Sequence, residues 1–276
     1  MIKNKGKMLL VLFYVFSVSV LAQKSNNILG FDAASFNEKD QLAIWLCRYD
    51  NVAWVTSDSV SASPKDEMKK LGKEWFCYEE NKVWHAVYGK YSGGIFNMVF
   101  HYVIDPTTQK IKRVYYMPID TSMTGSFSRA LINSDMRIKK YLDTNYVIRF
   151  NQYIRRDSNK SISVWLFPAF QENGTAAYGG EFYYKYDEKG NKLLDKQEYF
   201  QGKFRGFKTG NKRDISIDYT DTKQPTLGAV FFVRYYRDYF TNITIETKDF
   251  NSELYYDPTN GYSWITAVKD QSPDKK

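Results

Sequence analysis

Two histidines, His85 and His101, are the only imidazoles in the 276-residue chain. They lie in the aromatic, β-branched runs Val83–Tyr91 and Ile95–Ile104, which read as neighbouring strands. With a three-residue loop, Ser92-Gly93-Gly94, the two rings face each other, available for proton transfer. A two-residue loop would send them to opposite faces. Glu181 is the carboxylate to test first, because it follows Gly179-Gly180 inside an aromatic strand, where an inward acid is costly unless paired. Other strand carboxylates, among them Glu74, Glu79, Glu80, Glu172 and Glu198, would serve glycoside cleavage only as a pair at defined spacing. No Gly-x-Ser-x-Gly elbow, His-Glu-x-x-His, phosphate-cradling Gly loop or EF-hand loop occurs. No catalytic residue, metal or cofactor is therefore expected, and a non-enzymatic role is favoured.

The aromatic excess is the broadest chemical feature, with 23 Tyr, 19 Phe and six Trp. Trp84, Tyr88, Tyr102 and Tyr184 are the rings expected to offer flat faces to a ligand. Doublets such as Tyr183-Tyr184 place one ring on each face of a sheet. Lys203 to Arg213 is the densest basic stretch, read as a loop whose Lys203, Arg205 and Lys208 would attract an anionic surface. Cys47 and Cys77 are the only cysteines, either one disulfide or two buried thiols.

These residues sit behind an export signal. Lys3, Lys5 and Lys7 precede an apolar run from Met8, and the segment thins to small residues ending at Ala22. That is the layout of a signal peptide cleaved after Ala22, leading to a periplasmic or extracellular protein. The run is shorter than the roughly 20 residues a spanning helix needs, and no later segment approaches one, so the mature chain is expected without a transmembrane span. Cleavage removes three lysines and no acids, leaving 36 basic against 31 acidic residues. That balance gives no reason to invoke nucleic acid.

Residues 23–34 read as a flexible lead-in and 271–276 as a disordered tail. Between them, 35–270 reads as one α+β domain, or two lobes meeting near 143–161, with largely antiparallel multi-stranded sheets and about three packed helices. The first helix is expected from a Ser35/Glu38 capping box to about Asp50, followed by a short strand at Val52–Thr56 and a Ser-rich loop. Ser126–Asp143 carries an amphipathic helical stripe. Leu227–Phe240 is apolar almost throughout and reads as a buried helix. Asp-initiated turns recur after Ile104, Tyr186 and Tyr256. The resulting expectation is an exported, non-enzymatic protein that binds a glycan, a lipid or an envelope protein through an aromatic sheet face. A secreted hydrolase and a structural part of an envelope assembly are the alternatives.

Overall fold

The computed structural model describes residues 29–105, 108–115, 120–142 and 148–269. The expected signal peptide, the tail and part of the 143–161 boundary lie outside the described residues. The elements in chain order are α1 (Ala33–Ser61), α2 (Lys65–Met68), β1 (Trp75–Glu80), β2 (Val83–Ser92), β3 (Ile95–Ile104), β4 (Ile111–Arg113) and α3 (Thr121–Ile138). They continue with β5 (Phe150–Arg156), β6 (Ile162–Pro168), β7 (Phe170–Gln171), β8 (Thr175–Tyr186), β9 (Leu193–Lys208), β10 (Asp214–Tyr219), α4 (Leu227–Tyr236), β11 (Asn242–Thr247), β12 (Phe250–Asp257) and β13 (Gly261–Val268).

The strands form three mostly antiparallel sheets, so the fold is α+β. The first sheet is the meander β1-β2-β3-β4. In the second, β5 pairs β6, and β8 is flanked by β6 and β7 on one edge and β9 on the other. The third has the order β10-β11-β12-β13, with β10 and β11 parallel because α4 carries the crossover between them. One continuous apolar core draws on all three sheets and on α1, α3 and α4.

Helix α1 runs 29 residues and absorbs the segment expected as a strand at Val52–Thr56. Branched side chains favour a strand locally, yet Tyr49, Val52, Ala53, Thr56 and Val60 recur at helical spacing and bury one stripe. The Thr56 hydroxyl is satisfied within the helix, donating to the Val52 carbonyl at 2.6 Å. The N-cap is Asp32 rather than Ser35. Its carboxylate accepts the Ser35 N–H at 3.0 Å, which moves the helix start earlier.

Helix α4 is the buried helix expected from its uniform apolarity, packed between β8 and the third sheet. It is tied to α1 at two depths. Arg234 makes a two-pronged ion pair with Asp40 at 2.7 and 2.6 Å, and Trp264 Nε1 donates to the same carboxylate at 2.8 Å. Asp50, one α1 face further on, accepts from Asn151, Tyr153 and Tyr235 at 2.9, 3.1 and 2.6 Å. Burial pushes the Asp50 carboxyl upward, while its tyrosine donors pull the other way.

Helix α3 covers the opposite face of the second sheet. Ser134 donates to the Tyr186 hydroxyl at 3.1 Å, while Asn133 and Arg129 hold the carbonyls of Gly190 and Lys189 in the β8–β9 turn. Gly190 has φ +71°, and a Cβ there would strike the Ser126 carbonyl, so this turn admits glycine for both reasons. The three Asp-initiated turns share one device. Asp105, Asp187 and Asp257 each accept backbone N–H groups of their own turn.

Candidate functional site

The histidines meet, by a route that loop length alone does not give. The β2–β3 loop has two residues, Gly93 and Gly94, both at positive φ, with Ser92 opposite Ile95. On that register the rings would part. A bulge between Tyr88 and Gly89 leaves Val99 unpaired and shifts the remainder by one residue, so His85 lies opposite Val103 and diagonal to His101 on the same face. The expected three-residue loop is thus replaced by a two-residue turn plus a bulge.

His85 Nδ1 and His101 Nε2 are 2.9 Å apart, and Tyr78 stacks on His85 at 4.6 Å. Both rings are buried. Burial lowers both from the ordinary imidazole range, and the neighbouring His85 helps carry His101 down to about 4. The pair shares a hydrogen bond, and among the described residues no nucleophile or carboxylate is hydrogen-bonded to either ring.

Glu181 is buried, but its carboxylate is occupied. It accepts the Thr226 hydroxyl at 2.5 Å and the Gly228 N–H at 2.8 Å, at the N-terminus of α4, where the helix dipole favours an anion. A Cβ on Gly228 would collide with this carboxyl, so that glycine makes the approach possible. Burial raises Glu181, opposed by the Thr226 and Gly228 hydrogen bonds. Burial likewise lowers Lys39, whose ammonium donates to the Pro225 carbonyl at 3.0 Å.

Lys39 and Glu181 lie at one end of a cleft of about 1060 Å³, which opens over β5, β6, β8 and β9 beside α1. Its floor follows from strand register. Arg155, Ser163, Lys185 and Asp195 form one row across four strands, Trp165, Tyr183 and Gln197 the next, and Glu181 and Tyr199 a third. Tyr183 packs on Trp165 at 5.5 Å, and Arg155 sits over the same indole at 5.2 Å. Asp157 gathers the polar end, accepting from Ser161 and Ser163 at 3.0 and 2.8 Å and lying 3.4 Å from Arg155 and 3.5 Å from Lys185. Burial would raise Asp157, but the Ser163 and Ser161 hydrogen bonds and the two cations hold it below the usual carboxylate range.

Two acids of this cleft are already engaged, Glu181 by Thr226 and Gly228 and Asp157 by Ser161, Ser163, Arg155 and Lys185. Glu181 and Asp195 belong to rows four residues apart along β8, a backbone spacing of ~13 Å. His85 and His101 belong to the first sheet and do not line the cleft. The three residues singled out for chemistry therefore scatter into a helix cap and a separate buried pair.

Among the rings expected to meet a ligand, Tyr88, Tyr102 and Tyr184 are buried in the core. Tyr88 shares a 2.7 Å hydrogen bond with Thr56, and Tyr184 donates to Glu198 at 2.8 Å. Tyr183, the partner in that doublet, is the one facing the cleft. Trp84 is half-buried against Trp45 and Tyr49. The basic stretch is not a loop through Lys208, since Lys203, Arg205 and Lys208 fall on β9. Arg205 pairs with Asp218 at 2.5 Å and Lys208 donates to the Asn173 carbonyl at 2.6 Å, so two of the three charges are already engaged.

Cys47 and Cys77 are free thiols. Cys77 lies against the α1 face that carries Tyr49, whose hydroxyl accepts the Cys77 N–H at 2.9 Å. Residues 47 and 49 lie about 200° apart around a helix, so Cys47 looks away. Burial pushes Cys47 up to about 12 and Cys77 well above the ordinary thiol range, which disfavours the thiolate at both.

Ser163, Lys185, Gln197 and Tyr199 have no individual mark in the sequence, and Tyr183 stands out there only as half of a doublet. Their signal was alternation, every second residue of β6, β8 and β9, but it becomes a site only once the strand order is known. Among the described residues no helix is long and apolar enough to cross a membrane, and no group of three or more His, Cys, Asp or Glu side chains is arranged to hold a metal. Compared with protein-family models, curated proteins and solved structures, the chain matches none.

Proposed function

We propose that this is an exported, non-enzymatic binding protein that takes a glycan-class ligand in the cleft over β5, β6, β8 and β9. The export reading rests on the charged, apolar and small-residue layout of Met1–Ala22. The ligand reading rests on one observation, the cleft of about 1060 Å³ floored by Tyr183 and Tyr199 among hydrogen-bonding side chains whose charges are internally compensated. A sugar offers flat C–H faces to such rings and hydroxyls to Ser163 and Gln197, and it carries no charge to be matched. A lipid tail would require a continuously apolar lining, which this floor does not provide. Hydrolysis is the weaker reading because Glu181 and Asp157 are both held by hydrogen bonds within the protein. A structural envelope role would call for a flat apolar patch, whereas the exposed rings of the β12–β13 hairpin divide between its faces, Tyr256 and Tyr262 on one and Tyr255 with Ile265 on the other.

Calorimetric titration with a panel of neutral oligosaccharides tests the proposal. Saturable binding abolished by Tyr183→Ala, with the sugars recovered uncleaved, is the expected result. Absence of binding across the panel, or release of shorter sugars, overturns it.

A further inference from the structure

A second groove, about 580 Å³, lies on the far side of α1, between that helix, the β1–β2 turn and the end of α4. Its charge is one-sided. Arg48, Lys82, Arg234 and Arg237 line it against a single lining acid, Glu79; Arg234 is neutralised by Asp40, and Arg237 donates to the Arg234 carbonyl at 2.8 Å. Arg48 and Lys82 are exposed and make no ion pair among the described residues. Arg237 reaches its nearest carboxylate, the exposed Asp238, only at 3.9 Å, and its Nε is buried with no hydrogen-bond partner.

Arg48 and Lys82, exposed at the groove, offer charged donors to an oxyanion arriving from solvent. The groove also has flat walls. Trp84 lines one side, and Tyr262 lies under Arg237 with the guanidinium carbon 4.6 Å from the ring centre. Lys82 is brought to the rim by a turn in which Asn81 and Lys82 take φ +51° and +65°. Glycine would adopt that conformation at lower cost, so the lysine side chain is retained there against a backbone preference.

We infer that this groove is an anion site for a phosphate or sulfate ester, with the oxyanion held by Arg48, Lys82 and Arg237 and the ester's planar or apolar part lying against Trp84 and Tyr262. Two cations without an ion pair, beside Arg237 with its long contact to Asp238, call for more than one carboxylate charge, and guanidinium forks match tetrahedral oxyanions. The site is separate from the sugar cleft and does not depend on it.

Calorimetry at low ionic strength with phenyl phosphate, phenyl sulfate and inorganic phosphate tests the inference. At least one ester should bind saturably and more tightly than inorganic phosphate, and the double variant Arg48→Gln/Lys82→Gln should weaken it about tenfold or more. Both side chains are exposed, so the variant should keep the native circular dichroism spectrum. Tyr183→Ala should leave ester binding unchanged, which separates this site from the proposed sugar cleft. Phosphatidylglycerol vesicles provide the lipid arm. No saturable binding of either ester, equal affinity in the double variant, or binding confined to vesicles would each overturn the inference.

Discussion

In the cleft over β5, β6, β8 and β9 the cations are already matched by the protein. Asp157 lies within 3.5 Å of Arg155 and Lys185, Arg156 reaches Glu188 at 2.7 Å, and Lys39 donates to Pro225. In the groove across α1, Arg48, Lys82 and Arg237 face a single acid, Glu79, and one guanidinium N–H has no partner. Both hollows mix rings with charge, so composition alone would rank them alike. What separates them is the field left over after internal pairing, small in the first and positive in the second. A ligand for the first must be recognised by shape and hydrogen bonds, and one for the second by charge.

The largest effect is expected where the groove's fourth cation is silenced. Asp40→Ala leaves Arg234 buried without its carboxylate and should cost about 3–5 kcal/mol in urea unfolding. Any folded fraction should bind phenyl phosphate more tightly than the parent, since a further uncompensated cation then lines the groove.

The next effect tests the first sheet, which supplies Trp84 to that groove from the strand that also holds His85. The folded-state pKa of His101 is depressed to about 4, so its stabilising contribution is present above the unfolded value near 6.5 and is lost as pH falls toward 4. The loss should be on the order of 3 kcal/mol across that window. Asp50 and Glu181, both raised by burial, act with the opposite sign. Unfolding free energies at pH 7, 5 and 4 should therefore be compared with those of His101→Asn, whose curve should fall less, keeping only the part carried by His85.

A smaller effect would erase the contrast between the hollows. Asp157→Ala removes the acid shared by Arg155 and Lys185 and should cost about 1–2 kcal/mol, because the site is only partly shielded from water. The altered cleft should gain a measurable phenyl phosphate affinity absent from the parent cleft. If it gains none, leftover field is not what distinguishes the two.

The parts of this architecture legible from sequence are those governed locally. Asp187 and Asp257 announce their turns because a carboxylate satisfies the turn's own N–H groups, and Leu227–Tyr236 announces a buried helix because no face is polar enough for water. The second half of α1 was hidden because Val52, Val55 and Thr56 prefer strands, and only packing of the Tyr49–Val60 stripe reverses that. The histidine contact depends on a one-residue bulge at Val99, which no composition rule locates. Glu181 was conspicuous after two glycines, yet its task is to hold the start of α4. The cleft floor joins alternate residues of four strands whose order puts β8 between β6 and β9, and sequence neighbours do not reveal that adjacency.

The compensated cleft is proposed to bind an uncharged polar ligand without transforming it. Calorimetric titration of neutral oligosaccharides into the parent protein and Tyr183→Ala, at low and at high salt, tests this. Saturable binding, insensitive to salt, that disappears with the Tyr183 ring is the expected result. Binding that collapses with salt, survives Tyr183→Ala, or is accompanied by cleavage of the sugar would contradict it.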